Sequence, residues 1–74
     1  MDIRSNIGKR VKELRLYHGY SQEAFAHVCG LDRTYIASVE NGKRNVSIKN
    51  VERIASAFQV SLKEFFNSEL FSGN

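Results

Sequence analysis

Arg33, Thr34 and Ser38 are polar side chains whose types and spacing can do chemistry together. If Asp32 caps a helix, about 100° of rotation per residue sets Thr34, Ala37, Ser38 and Asn41 opposite Ile36, Val39 and Glu40, with Arg33 at the edge. The polar side is narrow and short-chained. Such a face enters a DNA major groove, about 12 Å wide, without clashing. Arg33, at the helix start, can bond guanine O6 and N7 with two arms of its guanidinium. Thr34 and Ser38 can reach base edges, phosphates or the thymine methyl. Tyr35 falls on the flank. Its ring can pack against the preceding helix, its hydroxyl can reach a phosphate or a base, or it can sense groove shape. The plain alternative for the whole set is a solvated helix face.

Other chemistries find little to work with. His18 and His27 have no acidic or cysteine partner at ligand spacing, so no metal motif forms. Both read as surface or helix-end residues. Cys29 reads as a small core residue beneath a turn, since a redox sensor would need exposure and a depressed pKa. There is no nucleophile–base pair and no phosphate-cradling glycine-rich loop, so an enzyme, a cofactor and a small-molecule ligand are not expected.

A chain of 74 residues makes one domain. Its 42% hydrophobic and 26% charged residues belong to an ordinary globule rather than a disordered tail. No apolar run approaches the roughly 20 residues that span a bilayer, so no membrane partner is expected. The opening residues lack the apolar region of a signal peptide. With a single cysteine, the expectation is a reducing, cytoplasmic compartment. The net charge of +3 is mild, but its distribution is uneven. Arg4, Lys9, Arg10, Lys12 and Arg15 face only Asp2 and Glu13 near one end. Near the other, Lys63 stands against Glu64 and Glu69. One end can meet phosphates while the other does something else. Lys9 and Arg10 are equally readable as phosphate contacts or as solvated charges.

The elements that must position these groups can be read from apolar spacing. Ile7, Val11 and Leu14 form a stripe that Gly19 can end. Ser21 can cap a second helix with Phe25, Ala26 and Cys29 inward and Val28 beside them. Asp32 can cap a third, which Gly42 ends. Ser47 opens a fourth with Ile48, Val51, Ile54, Ala55 and Phe58 inward. Ser61 and Glu64 fit a capping box for a fifth, with residues 67–74 its extension or a frayed tail. The fold class is therefore all-α, a five-helix bundle without strands.

Residues 21–41 meet the steric demands of a helix-turn-helix one by one. Ala26 is small where two helices must cross closely. Gly30 supplies positive φ at no Cβ cost. Leu31 plugs the core beneath the turn, and Ile36 and Val39 face inward three residues apart. Gln22 to Ala26, Gly30-Leu31, Tyr35-Ile36 and Glu40 to Arg44 resemble the Cro/C1-type helix-turn-helix family of phage repressors and xenobiotic-response-element-like regulators. The likeness runs from about Ile7 to Phe66. Leu31 to Ile36, with the short chain and the aromatic C-terminal helix, is most similar to the controller proteins of restriction–modification systems.

That resemblance implies a lambda-repressor-like DNA-binding domain. Gln22 would bind the sugar–phosphate backbone and brace the recognition helix, at a helix start whose free N–H groups favour a phosphate. Ser21, Asn41, Lys43, Arg44 and Asn45 would be backbone contacts beside the groove, with Arg44 long enough to reach the minor groove. Arg15 would pair with Glu40. Glu40 also lies toward the packed side of its helix and needs a partner there. The expectation is a partly buried ion pair that sets the recognition helix.

Leu62, Phe65, Phe66, Leu70 and Phe71 are more large apolar groups than the end of so small a domain needs. Three would serve the core. The rest would leave a patch that marks an interface, so a C-terminal dimerisation helix over about 61–71 is expected, with Phe65, Phe66, Leu70 and Phe71 at the interface. A two-fold homodimer would place two recognition helices about 34 Å apart on two-fold related half-sites of double-stranded DNA. By resemblance the chain would control its own promoter region, activating at one site and repressing at another, with RNA polymerase a further candidate partner. A phage-type repressor or an antitoxin-like autoregulator is the alternative in the same class. A protein-interaction adaptor is the alternative from another class.

Overall fold

Residues 2–73 are described by a computed structural model. Five helices follow one another: α1 (Ile3–Tyr17), α2 (Gln22–Cys29), α3 (Arg33–Glu40), α4 (Ile48–Ala57) and α5 (Leu62–Phe66). A short 3-10 turn, Glu69–Phe71, follows them. No strand occurs among the described residues. The expected caps at Ser21, Asp32, Ser47 and Ser61 each accept a backbone N–H of the following turn. The capping box at Ser61 and Glu64 is complete in both directions. Asp2 performs the same service for α1.

One residue before each of the last four caps sits an apolar side chain, and four residues into each helix sits another. The pairs are Tyr20 with Phe25, Leu31 with Ile36, Val46 with Val51, and Val60 with Phe65. In every pair the second member is buried and the first is packed against the same core. These are hydrophobic staples, which set the angle at which the chain enters a helix. The core runs through all five helices, with Val11, Phe25, Ile36, Ile54, Phe58 and Phe65 almost wholly enclosed. Phe25 and Phe58 stack at 4.1 Å between centroids, which joins α2 to the end of α4.

α3 sits against the first two helices. It packs most extensively on α1 and then on α2. Ala26, the small residue of α2, is buried. Gly8 makes the crossing with α1 possible. A Cβ there would collide with the Val39 carbonyl oxygen and stand 2.9 Å from the Glu40 carbonyl oxygen. The α1 stripe alone did not signal this approach, although a glycine inside a helical pattern often marks one.

Ile48 is 83% exposed, not inward. It is the first residue of α4, and Val46 fills the core position through the staple instead. Val28 is also half exposed. Phe65, expected at an interface, is fully buried. The C-terminal helix does not run to residue 71. It stops at Phe66, and Ser68 caps the separate 3-10 turn. Arg10, considered as a phosphate contact, bonds the Phe65 carbonyl at 2.7 Å and the Glu64 carbonyl at 2.8 Å. It caps α5 from α1. Asn6 donates to the Leu70 carbonyl at 2.9 Å and holds the final turn on α1 as well.

Candidate nucleic-acid interface

The turn between α2 and α3 is built on Gly30, whose φ is +70°. Leu31 N–H then returns to the Ala26 carbonyl at 3.0 Å, closing the end of α2. Asp32 accepts from the Thr34 N–H at 2.9 Å and starts α3 at once. Arg33 and Thr34 are exposed at this start, and Ser38 is half-buried one turn on. Among the described residues, no hydrogen bond or ion pair engages the Arg33 side chain. Its guanidinium is free to fork onto a partner.

A shallow depression of about 470 Å³ brings Arg33 together with Arg15, Ser21, Gln22 and Glu23. The expected base-reading arginine and two expected backbone contacts thus share one surface. Ser21 Oγ and carbonyl oxygen take the N–H groups of Ala24 and Phe25. The Gln22 and Glu23 N–H groups have no intrahelical acceptor, as at any helix start. They are open to an oxyanion, with the positive end of α2 behind them.

Beneath this surface lies a buried polar cluster. Arg15 donates to Glu40 through Nε at 2.6 Å and through Nη2 at 2.9 Å. The two side chains are 9% and 4% exposed. Arg15 also donates to the Tyr20 carbonyl at 2.9 Å, and Gln22 Nε2 donates to Glu40 Oε1 at 3.1 Å. The bond to Glu40 holds the Arg15 guanidinium above its ordinary pKa, against the opposing effect of burial. Glu40 at the end of α3 is therefore gripped from α1 and from the start of α2. The expected ion pair is present, and Gln22 braces α3 through the same carboxylate.

At the other end of α3, Asn41 is its exposed C-cap, and Lys43, Arg44 and Asn45 follow in an exposed loop. Arg44 lies over the Tyr35 ring, 5.1 Å from its centroid. Tyr35 is half-buried, and its hydroxyl oxygen accepts from Asn50 Nδ2 at 3.0 Å. Its hydroxyl is thus turned toward α4. Asn50 has no place in the sequence reading, because its tie to Tyr35 exists only once α4 is docked.

A larger cleft of about 670 Å³ lies between α2 and α4, around Val28, Cys29, Lys49 and Arg53. It contains none of Arg33, Thr34 or Ser38. Cys29 is buried there, and desolvation pushes its thiol up to about 11 despite the nearby Arg53 charge. No group of His, Cys, Asp and Glu that could hold a metal ion occurs among the described residues. No helix is long and apolar enough to cross a membrane.

Residues 11–65 match the helix-turn-helix family. The chain belongs to that family. Its relatives are DNA-binding regulators, and the Cro/C1-type resemblance read from the motif stands. The control protein C.MunI of a Mycoplasma species is 46% identical over 67 residues, which cover 89% of this chain and 90% of the relative. The crystal structure of the restriction-modification controller protein C.AhdI from Aeromonas hydrophila superposes with a TM-score of 0.83 at 41% identity, covering 89% of this chain and 100% of that one. The controller C.Esp1396I, crystallised as a tetramer in complex with its natural 35 base-pair operator, superposes at 0.84 with 38% identity, covering 93% and 90%.

Proposed function

We propose that this helix-turn-helix protein is a sequence-specific double-stranded DNA-binding transcriptional regulator, and that it is the dimeric, autoregulatory controller of a restriction–modification system. The carrying observation is the surface that joins α2 and α3. A free Arg33 stands beside Ser21, Gln22 and the open N–H groups of α2. In this reading Arg33, Thr34 and Ser38 meet base edges, with Tyr35 on their flank. Ser21, Gln22, Asn41, Lys43, Arg44 and Asn45 meet the backbone. The likeness to controller proteins over most of both chains, one of them crystallised on its operator, supports the narrower reading. Activation would require contact with RNA polymerase, and a cytoplasmic location follows from the role. The whole chain, residues 1–74, acts as one DNA-binding domain.

Footprinting on the DNA upstream of the chain's own gene tests this, with affinity followed as salt is raised. Expected are a protected two-fold site and a steep loss of binding with salt. Arg33→Ala should cost about 1–3 kcal/mol and relax preference at one base position, while Lys43→Ala should weaken all duplexes alike. Binding without sequence preference, or tighter capture of an acidic protein than of any duplex, would overturn the proposal in favour of an adaptor.

A further inference from the structure

Tyr35 differs from its neighbours on the α3 face in being held by the rest of the fold. Among the described residues, the side chains of Arg33, Thr34 and Ser38 make no hydrogen bond within the protein. Tyr35 is instead touched from two other segments. Asn50 Nδ2 donates to its hydroxyl at 3.0 Å, and Arg44 covers its ring at 5.1 Å. Asn50 is itself anchored. Its backbone N–H bonds Ser47 Oγ at 3.1 Å in the first turn of α4, and its side chain is half-buried. The grip on Tyr35 therefore comes from α4, which packs chiefly on α2 and α5.

The direction of the bond matters. An amide NH2 group can only donate, whereas a phenol can donate or accept. A phenol oxygen that accepts from Asn50 keeps its own proton for a further partner. Accepting also makes that proton a stronger donor. The cation over the ring acts in the same sense. The hydroxyl is left as a donor whose oxygen is already occupied.

We propose that Asn50 is a positioning residue for DNA recognition: it holds the Tyr35 hydroxyl beside α3 as a hydrogen-bond donor toward an acceptor on the DNA. The inference rests on the DNA-binding reading above. The acceptor is a base-edge oxygen or nitrogen, or a phosphate oxygen. Asn50 does not touch DNA in this arrangement, and its whole effect passes through Tyr35.

A double-mutant cycle tests the idea on a duplex selected from a random pool by the unaltered chain. Asn50→Ala should weaken binding by about three- to tenfold, the worth of one hydrogen bond. In the Tyr35→Phe background, the same change should do almost nothing. Replacing single bases in the duplex separates the two acceptors. Loss of preference at one position identifies a base edge, and a uniform loss identifies a phosphate. An equal effect of Asn50→Ala with and without the Tyr35 hydroxyl would overturn the proposal, as would no effect in the unaltered chain. If the unaltered chain selects no sequence at all, the DNA-binding reading itself fails. Alanine suits a helix start well, and Asn50→Ser provides a second variant should the first unfold.

Discussion

Arg15 and Glu40 meet through two hydrogen bonds in a nearly dry setting, and Gln22 adds a third group to the carboxylate. Breaking one side of such a pair leaves a buried charge without compensation. Glu40→Gln should therefore cost about 2–4 kcal/mol in urea unfolding, and a loss well below about 1 kcal/mol would mean the pair does not seat α3. Cys29 offers a second test at this scale. Burial keeps its thiol neutral up to about 11. Between the ordinary thiol range and that value, the unfolded chain releases a proton that the folded chain keeps. Stability should accordingly fall as pH rises through this window, and Cys29→Ala should remove that part of the slope. The pairing of Arg15 with Glu40 was legible from the motif and from the packed side on which Glu40 falls. The hold on Tyr35 was not, because Asn50 lies 15 residues away on another helix.

At the scale of elements, local chemistry decides most of the outcome. Serine or aspartate starts each helix, a staple aims each of α2 to α5, and a residue with positive φ ends each of the first four. Three of those ends use glycine, and the end of α4 uses Gln59 at φ 61°. Gln59→Gly should raise stability by about 0.5–1 kcal/mol, since it relieves a left-handed side-chain conformation, and thermal unfolding would register it. Gly8→Ala should act in the opposite sense by about 1–3 kcal/mol, because the added methyl falls on rigid backbone where α1 crosses α3. Helix starts are legible in sequence because a cap and a staple lie within a few residues. The end of α5 is not. Its last carbonyls are taken by Arg10, so the chain can leave the helix at Asn67 instead of continuing to residue 71.

The described residues span 34 × 23 × 22 Å. A two-fold pair that reads both half-sites needs its recognition helices about 34 Å apart, one turn of DNA. Once Phe65 is enclosed, Leu62 and Phe66 remain about 40% and 38% exposed at the C-terminal end. Phe66 lies edge-on to Phe65 and Phe71. A dimer through this end is the reading these residues support. Phe66→Lys should give a monomer in sedimentation with its helical content intact, and should weaken operator binding by roughly a hundredfold or more as the second half-site is lost. A fully monomeric unaltered chain would defeat this reading.

The helix-turn-helix was written in residues 21–41 alone. Its demands are local: a small residue at a crossing, positive φ at a turn, caps and an apolar period. Each is met by neighbours in the chain. Arg33, Thr34 and Ser38 could be nominated on the same basis. Only the tertiary structure could sort residues whose surroundings come from distant segments. It moved Phe65 into the core and Ile48 out of it, turned Arg10 from a free cation into a cap for α5, and tied Tyr35 to Asn50. Burial and hydrogen-bond partnership at these positions depend on which helices dock, and periodicity within one helix carries no information about that.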